Sequence, residues 1–180
     1  MTELFEHGYA LIIGVDENKI GGLALPVVER DVTALYDVLV HPERCAYKPQ
    51  NVRLLMGEDA TGKNIVEALL WLKDKFEADP QATAVITYAG HGLRDKQTEQ
   101  YYLIPYDIES LSRVRSDALR AQELLVVIEE FQARHTFIIF DCNHSMGMDA
   151  VAIETDESGL ESAAFPEFSQ IKKIPAPKNL

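Results

Sequence analysis

ATAVITYA, residues 82–89, is a run of apolar and β-branched residues that stops abruptly at Gly90-His91-Gly92, and TFIIF, residues 136–140, is a second such run that stops at Asp141. Runs of this length with little polar alternation fit strands buried on both faces, as in a parallel sheet covered by helices on each side. Upstream, Tyr9 to Val15 (YALIIGV) repeats the pattern and is closed by Asp16 and a Gly21-Gly22 turn, and Val52 to Met56 makes a shorter strand. The segments between them are helical in spacing. Apolar residues fall at 28, 32, 35, 36 and 39 before Pro42, and Ile65, Ala68, Leu69, Leu72 and Phe76 form a stripe over 64–76 with Thr61 as its cap. Residues 117–133 predict a further helix with Leu119, Leu124, Val127, Ile128 and Phe131 on one face. Tyr101 to Pro105 (YYLIP) is too short and proline-bounded for a central strand and reads as an accessory strand or hairpin arm. Strands alternating with helices predict an α/β three-layer sandwich, with a mostly parallel central sheet flanked by helices. In such sheets ligands bind beyond the carboxyl ends of the strands. Two polar clusters stand there, Gly90-His91-Gly92 and Asp141-Cys142-Asn143-His144-Ser145.

The chain of 180 residues is of single-domain size, and 47% hydrophobic with 26% charged residues matches an ordinary globular protein. A net charge of −12 repels phosphate backbones and anionic membranes, so neither nucleic acid nor membrane is an expected partner. Cys45 and Cys142 are far apart, with no metal-ligand spacing and no disulfide framework, which fits a reducing compartment. The N-terminus lacks the basic start of a signal peptide, and no run reaches the length of a membrane span, so a cytoplasmic location is expected. After residue 148 the character changes. Asp149, Glu154, Asp156, Glu157, Glu161 and Glu167 occur with no basic residue until Lys172, so residues 1–148 read as the folded domain and 149–180 as an acidic linker or surface segment.

Gly57-Glu58-Asp59-Ala60-Thr61-Gly62-Lys63 satisfies the first part of a phosphate-binding loop. Asn64 then replaces the Ser or Thr that binds magnesium, and Glu58 and Asp59 would face the phosphates, so the stretch reads better as a turn with a helix cap.

His91 is flanked by glycines at the end of a buried strand, a place where an imidazole can act as general acid or base. Its neighbour at the end of the next strand sharpens the reading. Tyr88-Ala89-Gly90-His91-Gly92 and Asp141-Cys142-Asn143-His144-Ser145-Met146-Gly147 resemble the two motifs of the caspase-like cysteine peptidases, in particular the metacaspases and bacterial orthocaspases. Those proteins carry Tyr-x-Gly-His-Gly at one strand end and Asp-x-Cys-His-Ser-Gly at the next. The opening ALIIGV, Leu25-Pro26 leading to Asp31, and YYLIP with Asp107 extend the resemblance over roughly residues 9 to 147. It implies a caspase-like fold with residues 1–148 as the large subunit, a His/Cys dyad, and a pocket for Arg or Lys.

One departure decides the chemistry. Asn143 stands where the family keeps its nucleophilic cysteine, and an amide nitrogen, its lone pair delocalised, is no nucleophile. Cys142 is the alternative nucleophile, but strand alternation aims its sulfur to the other face, and only a local bulge would turn it toward His91. Asn143 is compatible with a natural pseudoenzyme and with an inactivating substitution; Met146 in place of the family's Gly tilts toward the former. By resemblance His91 has the role of base, Gly92 and position 143 lie at the oxyanion hole, and Asp31 and Asp141 form the acidic specificity pocket. Two carboxylates suit a guanidinium.

Calcium-dependent members of the family hold the ion on an acidic run after the histidine loop. Here only Asp95, Glu99 and Asp107 follow it, without a dense cluster, so no metal or other cofactor is expected. The family also continues into a small subunit with further strands, which residues 149–180 do not resemble; Lys172 and Lys173 are conceivable processing sites there. A small subunit, a C-terminal continuation or a second copy is the expected partner, besides a peptide or protein carrying Arg or Lys. Two functions from different classes follow: a cysteine endopeptidase domain silenced at Asn143, and a pseudo-peptidase that acts by binding or regulation.

Overall fold

The computed structural model describes residues 4–22, 24–142 and 160–162. A parallel sheet forms its centre, in the order β2-β1-β3-β7, from β1 (Gly8–Gly14), β2 (Val52–Met56), β3 (Thr83–Gly90) and β7 (His135–Cys142). One row near its carboxyl end joins Met56, Gly14, Ala89 and Asp141 across the four strands, and Cys142 then pairs with Gly90.

Helices α1 (Pro26–Val40), α2 (Gly62–Ala78) and α4 (Ala121–Glu129) cover this sheet. On one face Val28, Val32 and Leu39 of α1 pack on Ala10, Ile12 and Ala89. On the other, Ile65, Leu69, Leu72 and Phe76 of α2 and Leu124 and Ile128 of α4 pack on Leu11, Ile13, Ile86 and Tyr88. The expected three-layer sandwich is therefore present. Alternation along each strand explains both faces at once, because residues two apart share a face. Gly14 is required by the first of these contacts, since a Cβ there would lie 2.8 Å from Val32 Cγ2. Thr61 caps α2 as expected, its hydroxyl accepting the Asn64 N–H at 3.2 Å.

A smaller antiparallel sheet, β6-β5-β4-β8, stands beside the carboxyl ends. It comprises β4 (Gly92–Asp95), β5 (Tyr101–Leu103), β6 (Leu119–Arg120) and β8 (Leu160–Ser162). YYLIP supplies β5, an arm of a hairpin with β4. The helix expected over 117–133 is divided. A short turn of helix, α3 (Val114–Asp117), is followed by β6, and only then by α4. The backbone of Leu119 and Arg120 pairs with Leu103 and Tyr102, while the Leu119 side chain still packs on the apolar cluster beneath α4. That shared burial is why the periodicity read as continuous. Phe131, beyond α4, turns back to meet Phe76 edge-on at 5.1 Å.

Candidate active site

His91 occupies the single residue between β3 and β4 and is 2% exposed. Its carbonyl is held from two directions: it accepts the Ile104 N–H at 3.1 Å and the Tyr88 hydroxyl at 2.9 Å. The same hydroxyl lies 3.1 Å from both the carbonyl and the N–H of Ile104, the residue that follows β5. Tyr88 is fully buried, and burial, with the neighbouring Cys142 adding to it, pushes its phenol well above the usual range, so it stays a neutral donor. Gly92 opens β4 opposite Leu103.

The other strand end brings two of the sequence candidates alongside. Asp141 pairs in register with Ala89, and Cys142 with Gly90. Asp141 is exposed, on the same face as Phe137 and Ile139, which is the face α1 covers over the neighbouring strands. Cys142 points the other way, into the cluster of Tyr88, Leu103 and Leu124. Burial, reinforced by the Asp141 charge, pushes its thiol up to about 12. A thiol so held is protonated and inert at neutral pH. Asn143, with His144, Ser145, Met146 and Gly147, lies outside the described residues, as do Lys172 and Lys173.

Asp31 sits on α1 beside Val32, the residue that closes over Gly14. Its carboxylate is half-exposed and paired with the adjacent Arg30 at 3.1 Å. Gly14 and Asp141 belong to one row with only Ala89 between them, about 10 Å apart by strand spacing, so Asp31 and Asp141 share one side of the sheet at its carboxyl end. The structure shows no contact between the two.

The acidic residues after the histidine loop are each engaged elsewhere. Asp95 accepts from Arg115 at 2.7 Å, Glu99 pairs with Arg94, and Asp107 accepts the Gly62 N–H at 3.0 Å. Among the described residues no three His, Cys, Asp or Glu side chains gather as a metal site. The Asp107 contact also answers the phosphate-loop motif. With a carboxylate and the Thr61 hydroxyl already on the first turn of α2, and Lys63 exposed beside Glu67 at 3.6 Å, the helix start is occupied by the protein itself.

Sequence reasoning missed two groups. Tyr88 entered it only as a motif letter, because its hydroxyl contacts reach sixteen residues ahead to Ile104. Asp16 read as a strand terminator; one of its carboxylate oxygens is buried with no hydrogen-bond partner among the described residues, at the same end of the sheet. Nothing local in the sequence distinguishes it from an ordinary end-of-strand aspartate.

No curated protein matches this chain. Among solved structures it is similar to a crystal structure of a Geobacter sulfurreducens protein, with a TM-score of 0.51 and 19% identity over 74% of this chain. That likeness concerns the fold, and the chain spans about half of that protein, 48% of its length. The family model of the C14 peptidases, described as the caspase domain, matches residues 7–179. With the parallel sheet, its covering helices and the histidine loop at the carboxyl end of β3, this match shows that the chain belongs to the caspase domain family of the C14 peptidases.

Proposed function

We propose that this domain is a caspase-like cysteine peptidase fold of the metacaspase or orthocaspase type, which receives peptides with Arg or Lys at the scissile position but does not cleave them as it stands. His91 is the general base, Gly92 and position 143 supply the oxyanion site, and Asp31 and Asp141 receive the basic side chain. The observation that carries the reading is the pairing of the two strand ends: Asp141 and Cys142 lie in register with Ala89 and Gly90, immediately before His91. A peptide carbonyl bound between those ends would meet the imidazole and the backbone N–H groups that an oxyanion needs.

Silence follows from the thiols. Asn143 offers no nucleophile, and Cys142 is buried with its thiol pushed up to about 12. Cys45 lies in the connection from α1 to β2, at the amino ends of the parallel strands and so across the sheet from His91. The domain therefore works by binding, as a regulatory pseudo-peptidase in a cytoplasmic setting. Its partners are the basic peptide and a small-subunit-like segment or second copy that covers the outer strand β7, where Phe137 and Ile139 are 59% and 51% exposed.

Fluorescence anisotropy with the full chain tests the basic pocket. A labelled Arg peptide is expected to bind about tenfold or more tightly than its citrulline twin, with Asp141→Asn removing the difference. Equal binding of Arg, citrulline and Asp peptides would overturn the assignment.

A further inference from the structure

The histidine loop is fixed by a side chain that the base role of His91 does not itself require. Tyr88 Oη lies 2.9 Å from the His91 carbonyl and 3.1 Å from both polar atoms of the Ile104 peptide. The Ile104 N–H also reaches the His91 carbonyl, at 3.1 Å, so three groups close a small buried network. One hydroxyl hydrogen serves the two carbonyls, and one oxygen accepts the N–H. The route to the His91 carbonyl runs over Gly90, where a Cβ would meet Tyr88 Oη at 2.8 Å and Val15 Cβ at 3.1 Å. Gly90 is therefore the residue that lets the hydroxyl through. The glycines on either side leave the backbone here free to adopt several conformations, so the hydrogen bonds on the His91 carbonyl fix the point from which the buried imidazole projects.

We propose that Tyr88 is a positioning residue for His91: its hydroxyl, bridging the His91 carbonyl and the Ile104 peptide over Gly90, sets the direction of the imidazole and ties it to the end of β5. This rests on the reading of His91 as the base. Deleting the hydroxyl leaves the ring in the core but removes one of the two donors on the His91 carbonyl, leaving the Ile104 N–H alone to hold it, and misplacement of a catalytic group by a fraction of an ångström is costly in rate.

The test has two arms. In the chain as it stands, NMR titration follows the imidazoles of its five histidines. Tyr88→Phe is expected to displace the His91 resonances and move its midpoint by about half a unit or more, leaving His7, His41 and His135 in place. Gly90→Ala, which blocks the hydroxyl without removing it, is expected to displace the same resonances. Phe76→Leu, a core change in α2 away from the loop, controls for lost stability and is expected to leave His91 unmoved. In an Asn143→Cys background, alone or with the proposed small-subunit-like segment added, Tyr88→Phe is expected to lower kcat about tenfold to a hundredfold with KM within about twofold.

An unmoved His91 titration in folded Tyr88→Phe and Gly90→Ala overturns the proposal, as does a shift equally produced by Phe76→Leu. Failure of Asn143→Cys to cleave counts against the peptidase reading alone, because the titration still decides whether Tyr88 positions His91. Should Tyr88→Phe fail to fold, Gly90→Ala against Phe76→Leu carries the same decision.

Discussion

Asp95 closes the turn between β4 and β5 and is 1% exposed. It accepts from Arg115 Nε at 2.7 Å and from the N–H groups of Gln97 at 2.8 Å and Thr98 at 3.4 Å. The Arg115 hydrogen bond first, and those N–H groups with it, hold its carboxyl well below the usual carboxylate range against the opposing effect of burial. A carboxyl depressed in the folded state stabilises the fold above its unfolded pKa, about 4, and that contribution fades as pH falls below it. Asp95→Asn is expected to cost about 1–3 kcal/mol at pH 7 in urea melts, and to lose less further stability than the parent between about pH 4 and 2. Cys142 carries the opposite sign. Its thiol, raised to about 12 from a reference of 9.0, disfavours the folded state only as pH climbs past that reference. At pH 8, a thiol reagent is expected to label exposed Cys45 promptly and Cys142 only on unfolding, so native protein titrates one of its two thiols. Prompt labelling of both would return Cys142 to the list of nucleophiles.

Elements show where the sequence could be read and where it could not. The four parallel strands were legible because each is an apolar run bounded by turn residues, and α1 and α2 because their stripes repeat at helical spacing. The division of residues 117–133 was not, since Leu119 belongs to a strand by its backbone and to the helical core by its side chain. Strand β4 was hidden for a related reason. GLRD has no apolar pattern of its own, and its pairing is supplied by β5 and β8. The cap at Thr61 was read from one residue, and Thr61→Ala is expected to cost about 1 kcal/mol in thermal or urea melts, as loss of one capping hydrogen bond does. Strand β7 raises a different matter, because its α1-side face leaves Phe137 and Ile139 more than half exposed. Changing both to Lys is expected to leave the melting temperature within a few degrees, about 3 °C, because little buried area is lost. If a second copy covers this face, the parent chain self-associates in sedimentation velocity and the double variant remains monomeric; equal behaviour of the two would remove the second copy as the occupant.

At the scale of the whole molecule, the fold gathers at one sheet end residues that are far apart in the chain. Tyr88, His91 and Asp141 stand at that end because β3 and β7 are parallel neighbours in register, with Asp31 on the helix that follows β1; Tyr88 faces the α2 side of the sheet and Asp141 the α1 side. The motif pair at two strand ends made His91 and Asp141 visible from the sequence. The Tyr88 bridge to Ile104 and the buried oxygen of Asp16 were beyond reach, since both depend on contacts between elements rather than on any local pattern.

The most direct measurement is peptide hydrolysis by Asn143→Cys against the parent chain, each alone and with the proposed small-subunit-like segment added, on Arg, Lys and Asp fluorogenic peptides. Cleavage after Arg and Lys is expected only from the Cys variant, lost again on adding His91→Ala. Cleavage by the parent chain, cleavage after Asp, or silence from a folded Cys variant would contradict a basic-specific peptidase site closed at one residue.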